Sequence, residues 1–230
     1  MTFIAPHYNK AKKNSLIRFF QRDRFFVKTP GWIKSLYPDC IWDLPKNEKV
    51  LYLSFDDGPH PTITPFVLGL LKQYNARATF FCIGENVKRY PEVYYQVIKE
   101  GHSTGNHTQH HINGWKTSDE DYLEDIREAC GLINSNLFRP PYGRMRKSQI
   151  RMIRKQFAGI KIIMWNILAG DWVQDLTPEK CFERIRTRIG PGDIIVFHDS
   201  EKAFDRLEFA LPRTLDYFSK EGYSFKAIPG

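Results

Sequence analysis

The chain has little of what would have placed it at once. Its 230 residues hold only four cysteines, Cys40, Cys82, Cys130 and Cys181, too far apart for a CxxC metal or redox motif. Cys82 falls in a strand-like run and Cys130 and Cys181 in helix-like ones, so buried free thiols are expected rather than disulfides. No apolar run approaches the length of a membrane-spanning helix, and residues 1–30 lack the uninterrupted hydrophobic stretch of a secretory signal, so a cytoplasmic location is expected by default. There is no internal repeat and no low-complexity tract. What remains is ordinary: 42% hydrophobic and 26% charged residues exclude bulk disorder, and the length suits one sizeable core.

Charge is unevenly spread. Residues 1–28 carry Lys10, Lys12, Lys13, Arg18, Arg22, Arg24 and Lys28 against Asp23 alone, so +6 of the formal +8 sits at the start of the chain. We divide the chain into a basic extension, 1–27, and a domain, 28–230. The extension also holds Leu16, Ile17, Phe19, Phe20, Phe25 and Phe26. It reads as a segment that docks its aromatics on the domain with its cations solvated, or as a peripheral contact with an anionic surface. The remainder is close to neutral, and no nucleic-acid partner is expected.

The domain is organised around Val50-Leu51-Tyr52-Leu53-Ser54-Phe55-Asp56-Asp57-Gly58-Pro59. An apolar run with little alternation has the pattern of a strand buried on both faces of a parallel sheet, and it stops at two carboxylates and a turn. Active sites of parallel α/β folds lie at the carboxyl ends of strands. An isolated Asp-Asp-Gly is nonetheless more often an N-cap or a plain turn. Further along, residues 28–45 suggest a strap packing Trp32, Tyr37, Ile41 and Trp42 on the domain. Thr64-Pro65 suggests a helix N-cap and first residue, with the helix stopping near Asn75. Strand 78–84, helix 91–99 closed by Gly101, a helix opened by Ser118, strand 137–138, helix 148–157, strand 160–167, helix 178–189 behind Thr177, strand 193–198, helix 206–220 and strand 223–225 follow. Six or seven strands alternating with helices predict a parallel α/β sheet or barrel.

Three further stretches carry chemistry. Asn106-His107-Thr108-Gln109-His110-His111 crowds three histidines; the i,i+4 spacing of His107 and His111 would put both imidazoles on one side of a helical turn. Two histidines and a carboxylate, for which Asp57 is available, make a three-ligand site with open positions for Zn²⁺ or another divalent metal. Three clustered histidines alone are more often a solvated loop. Arg139-Pro140-Pro141-Tyr142-Gly143 follows a strand directly, and its arginine could pair with a carboxylate near the metal; by itself it reads equally as a turn. Asp171-Trp172 and Val196-Phe197-His198 each bring a polar group to a strand end.

The ordered set across Ser54–Gly58, His107–His111, Arg139–Gly143, Asp171-Trp172 and Val196–His198 resembles the polysaccharide deacetylases with the NodB homology domain, carbohydrate esterase family 4. The resemblance implies an α/β fold, a distorted (β/α) barrel of about seven parallel strands, and hydrolysis of N-acetyl groups on an amino-sugar glycan with one divalent ion, Zn²⁺ expected. It makes Asp56 the general base, Asp57, His107 and His111 the metal ligands, His198 the general acid and Arg139 the group orienting Asp56. The Tyr142 N–H would help hold the oxyanion, in a turn stiffened by Pro141. Two departures stand out. Leu168 occupies a position that is often aspartate in the family, three residues before Asp171, and Val196 replaces leucine. Asp171 is therefore the candidate for tuning His198, with Trp172 lining the sugar groove. Chitin-like, peptidoglycan-type and exopolysaccharide substrates are all compatible. Alternatives are a deformylase or other small-amide hydrolase on a lipid-linked sugar, and a catalytically silent glycan-binding module.

Overall fold

The computed structural model describes residues 25–230; most of the basic extension lies outside them. A short helix, α1 (Gly31–Leu36), and strand β1 (Cys40–Ile41) lead into β2 (Val50–Asp56). Then come α2 (Ile63–Gln73), β3 (Thr79–Cys82), α3 (Gly84–Arg89), α4 (Pro91–Lys99), β4 (Ser103–Asn106), α5 (Asp119–Cys130) and β5 (Leu137–Phe138). A 3₁₀ turn at Pro141–Gly143 precedes α6 (Lys147–Gln156), β6 (Lys161–Ile163), β7 (Ile167–Leu168), α7 (Pro178–Arg186), β8 (Ile194–His198), α8 (Phe204–Lys220) and β9 (Ser224–Phe225). All pairings between these strands are parallel, in the order β1-β6-β5-β4-β3-β2-β8-β7 with β9 beside β2. The sheet curls into the distorted barrel that the family resemblance implies, where the alternation of elements left sheet or barrel open. An isolated antiparallel bridge, Asp43 to Asp193, ties the segment after β1 to the start of β8.

Strands have period two, and both faces of the central strands β2, β3 and β8 are buried. On β2, Leu51, Leu53 and Phe55 pack outward against the helices with Leu68, Leu71, Leu207 and Leu211. Phe81, Leu137, Ile163 and Ile194 form a separate cluster in the barrel interior, joined by the partly buried Tyr52. The inward row of β2 is therefore Tyr52, Ser54, Asp56, and that of β8 is Ile194, Val196, His198. Register places Asp56 directly beside His198, so alternation alone delivers a carboxylate and an imidazole to one rim of the barrel.

Several boundaries differ from expectation, each for a local reason. Helix α2 begins at Ile63 after Thr62, and Thr64 is not its cap; the Thr64 hydroxyl is buried, accepting the His60 N–H and donating to Asp199. The expected strand 160–167 is two. After Met164 N–H reaches Ile41, the Asn166 N–H turns to Ile194, so the chain changes neighbours at Trp165. With β1 and with β4, which runs through a stretch expected as loop, this raises the strand count among the described residues to nine. Ser118 does cap its helix, accepting from Asp121 N–H, and Thr177 caps α7. All four cysteines are free. Phe25 packs on Trp172 and Val27 is buried, its carbonyl accepting from Leu168 N–H. Among the described residues no helix is long and apolar enough to cross a membrane.

Candidate active site

Asp56 ends β2, and its Oδ1 accepts from Arg139 Nη1 at 2.6 Å. Arg139 is fully buried inside the barrel. It also donates to Ser54 Oγ (2.8 Å), Ile163 O (3.2 Å) and Met164 O (3.1 Å), and its guanidinium lies 3.9 Å from the Phe81 ring centre. Burial pushes the guanidinium below its ordinary value, with Asp56 opposing. Breaking a buried pair of this kind by removing one partner costs about 3–5 kcal/mol, because the other charge is stranded. The clamp needs room: a Cβ at Gly105 would lie 2.5 Å from the Phe81 ring.

Asp57 turns out of the strand at φ 79°. Its Oδ1 lies 3.2 Å from His111 Nε2 and 3.8 Å from His107 Nε2, and one donor atom from each of the three lies within 4.8 Å of the others. Donors about 2.1 Å from a tetrahedral ion are about 3.4 Å apart, so these separations fit one small divalent ion. The donor chemistry fits too. His107 Nδ1–H donates to Arg139 O at 2.8 Å, which directs Nε2 toward Asp57. Burial holds the His107 imidazole down at about 4, with Asp56 and Asp57 opposing, so it is neutral. Burial works against the charge on Asp57, but a hydrogen bond from His111 and the nearby His198, His111 and His107 outweigh it and hold the carboxyl well below its usual range.

The two histidines do not reach the site on a helical turn, as their spacing suggests. His107 follows the end of β4, Thr108 and His111 adopt φ values of 64° and 55°, and the loop folds back on itself. His110 points away, with its Nδ1 2.6 Å from Asp125 Oδ1. The 3₁₀ turn sets Tyr142 at φ 60°, with its ring 4.6 Å from that of His111; Pro141 is buried.

His198 completes the rim. Its Nδ1–H donates to Asp171 Oδ1 at 2.9 Å, and Asp171 Oδ2 accepts the His198 backbone N–H at 2.7 Å. Asp171 is fully buried. Burial pulls the His198 imidazole down, but the charge and hydrogen bond of Asp171, with Asp57 and Asp56 behind, overcome it and raise it to about 9. Trp172 packs its ring 4.9 Å from that of His198. Leu168 is buried on β7, and Asp171 reaches His198 without a second acid there.

Three polar groups in this region escaped sequence reasoning. Asp199 is buried and accepts Gly58 N–H (3.1 Å) and the Thr64 hydroxyl; burial pushes its carboxyl up to about 8. A Cβ at Gly58 would lie 2.2 Å from its Oδ2, so the Asp-Asp-Gly turn is shaped around it. Ser54 Oγ joins the Arg139 clamp. Asp125 was visible as a carboxylate on the apolar stripe of α5, between Tyr122 and Ile126, yet its role depends on a loop distant in sequence.

Fold and site together define a class: an α/β barrel whose rim gathers a carboxylate and two imidazoles, a donor set that fits one small divalent ion, beside a clamped aspartate and a second imidazole held by a carboxylate. The family model for polysaccharide deacetylases matches residues 43–159. A peptidoglycan-N-acetylglucosamine deacetylase of Bacillus cereus is 36% identical over 198 residues, 81% of this chain and 90% of that protein. A chitooligosaccharide deacetylase of Azorhizobium caulinodans is 34% identical over 161 residues, 67% of this chain and 75% of that protein. Among solved structures, the Bc1960 peptidoglycan N-acetylglucosamine deacetylase in complex with 4-naphthalen-1-yl-N-oxidanyl-benzamide superposes with a TM-score of 0.77 at 28% identity, over 86% of this chain and 94% of that one. The chain belongs to the polysaccharide deacetylases with the NodB homology domain, carbohydrate esterase family 4.

Proposed function

We propose that the protein hydrolyses the N-acetyl group of an amino sugar within a peptidoglycan-type glycan, releasing acetate and leaving the free amine. One observation carries this reading. Asp56 and His198, neighbours in register, are each held by a buried partner of opposite charge beside the Asp57, His107 and His111 cluster. A module that only bound glycan would have no use for a clamped base and a charged acid on one rim. The choice of peptidoglycan follows the Bacillus cereus relative and the Bc1960 structure, with chitin-like and exopolysaccharide chains as the competing substrates.

Asp57, His107 and His111 would hold the ion, and two imidazoles with one carboxylate suit zinc. When bound, such an ion supplies Lewis acidity toward the amide carbonyl and acidifies water. The other residues then have distinct tasks. Asp56, fixed in orientation by Arg139, accepts the proton of the attacking water. The Tyr142 N–H, presented by its left-handed backbone, donates to the carbonyl oxygen as that oxygen gains charge. His198, kept protonated by Asp171, gives a proton to the nitrogen as the C–N bond breaks. Trp172 walls the His198 side of the groove. The cations of residues 1–27 add a peripheral contact with an anionic surface.

Acetate release from N-acetylated peptidoglycan fragments and chitooligosaccharides, with and without a chelator, tests the reading. Chelation should abolish release and added Zn²⁺ should restore it. Zinc-loaded protein that bound these glycans without releasing acetate would make the chain a binding module. Formate release from an N-formylated lipid-linked sugar, with no acetate from any glycan, would make it a deformylase.

A further inference from the structure

We infer that Asp125, outside the set of reacting and ligating groups, is the positioning residue that sets the geometry of the two histidine ligands; the inference rests on the metal site proposed above. The loop from His107 to His111 has to turn sharply to bring both imidazoles to Asp57. It does so with Thr108 and His111 in the left-handed region, which side-chain-bearing residues adopt only when their surroundings hold them there. The holding groups can be named. Asp125 Oδ2 accepts the backbone N–H of Gln109 at 2.9 Å and that of His110 at 3.1 Å, so one carboxylate oxygen gathers two successive amides midway between the ligands. Its Oδ1 takes the His110 Nδ1–H at 2.6 Å, and its own backbone carbonyl also accepts Gln109 N–H at 3.1 Å.

Asp125 is 9% exposed and is carried by α5, whose neighbouring residues Tyr122, Ile126 and Ala129 are buried in the core. The same helix takes the other end of the loop. Asn106 Nδ2 donates to Ile126 O at 3.0 Å while Asn106 Oδ1 accepts Thr108 N–H at 2.8 Å. A carboxylate on the buried stripe of a helix is costly unless its charge is used. Here it accepts three hydrogen bonds, all from the segment between the two ligands. Charge-assisted bonds of this kind are roughly twice as strong as neutral ones, and they resist the relaxation of Thr108 and His111 to ordinary backbone angles. Such relaxation would swing His111 Nε2 away from Asp57.

The test is cobalt(II) affinity of the full chain, measured by competition with a chromophoric chelator. The Co²⁺ absorption spectrum reports ligand geometry, and thermal unfolding of the metal-free protein is followed in parallel. Asp125→Ala should bind Co²⁺ about ten- to hundredfold more weakly, the usual range for losing a group that orients metal ligands, with an altered spectrum. Asp125→Asn keeps the shape but not the charge and should lose several-fold. A folded Asp125→Ala protein with wild-type affinity and spectrum would overturn the role. Should Asp125→Ala fail to fold, Asp125→Asn decides alone, and affinity within twofold of wild type overturns it. Wild-type protein that took up no Co²⁺ would instead sink the metal site, and this role with it.

Discussion

His107 and His198 sit on the same rim and are both withdrawn from solvent, yet they are driven to opposite protonation states. Burial lowers each of them. The difference lies in what the Nδ1–H meets. For His107 it is the neutral carbonyl of Arg139, and the imidazole stays near 4, neutral and ready to ligate. For His198 it is the carboxylate of Asp171, and the imidazole is carried to about 9, charged and ready to donate. In the proposed mechanism one side chain type serves as ligand and as acid, and the partner chosen by the fold decides which. Removing a ligand and removing an acid should therefore fail in different ways.

The largest effect is expected on the ligand side. His107→Ala combined with His111→Ala should abolish metal uptake by elemental analysis, and the loss of acetate release should exceed the roughly 10²–10⁴-fold typical of losing a base alone. Unchanged stoichiometry in the double variant would remove the site. Next comes Asp56→Asn, which keeps the shape beside Arg139 but cannot take a proton. It should retain metal and lose about 10²–10⁴-fold in kcat. Wild-type kcat would mean that another group is the base.

On the acid side the effect should be smaller and should depend on pH. With His198 as the proposed acid, the rate should fall on the alkaline side as its imidazole loses the proton. Asp171→Asn removes the charge that holds that proton, so the His198 value drops and the alkaline limb of kcat/KM moves to lower pH while metal content stays intact. An alkaline limb that stayed in place at full activity would reduce Asp171 to a group that only ties down the strand end.

Much of this comparison was legible in the sequence because its elements are local strings. Asp56-Asp57 at the end of an apolar run, the spacing of His107 and His111, and Arg139 directly after a strand each announce themselves within a few residues. Alternation along Ile194–His198 was equally readable, and it puts His198 inward. What could not be read depends on partners far along the chain. The run 160–167 is mostly apolar and holds neither Gly nor Pro, and Asn166 alone is too weak a break to mark the change from β1 to β8 as neighbour at Trp165. The i,i+4 spacing suggested a helical turn, and only Asp125 and Asn106, holding the loop from α5 and from the end of β4, explain why the backbone turns left-handed instead. Asp199 stood next to His198 in plain view. Its task concerns Gly58 and Thr64, more than 130 residues earlier.

A third histidine sharpens the comparison and should leave the reaction untouched. His102 lies just before β4, at the opposite end of that strand from His107, and is 7% exposed. Its Nδ1 accepts the Ala78 N–H at 3.2 Å, so the same ring atom that donates in His107 and His198 is here an acceptor, which requires it to be unprotonated. Burial, with Arg77 nearby, pushes the imidazole down to about 4 against a weaker pull from Glu100. The folded value is therefore depressed below the ordinary 6.5, and between these values the unfolded chain binds the proton more readily than the native one. Stability from this residue is complete above about pH 6.5 and is lost as pH falls toward 4, up to about 3 kcal/mol at 1.36 kcal/mol per unit. His102→Asn places an uncharged acceptor in the same position. We expect chelator-treated His102→Asn to lose less stability than wild type in urea unfolding between pH 6.5 and 4, and the zinc-loaded variant to keep wild-type kcat/KM at neutral pH. Equal losses in the two proteins across that window would show that the proton finds His102 without cost, and that the partner of Nδ1 does not set its state.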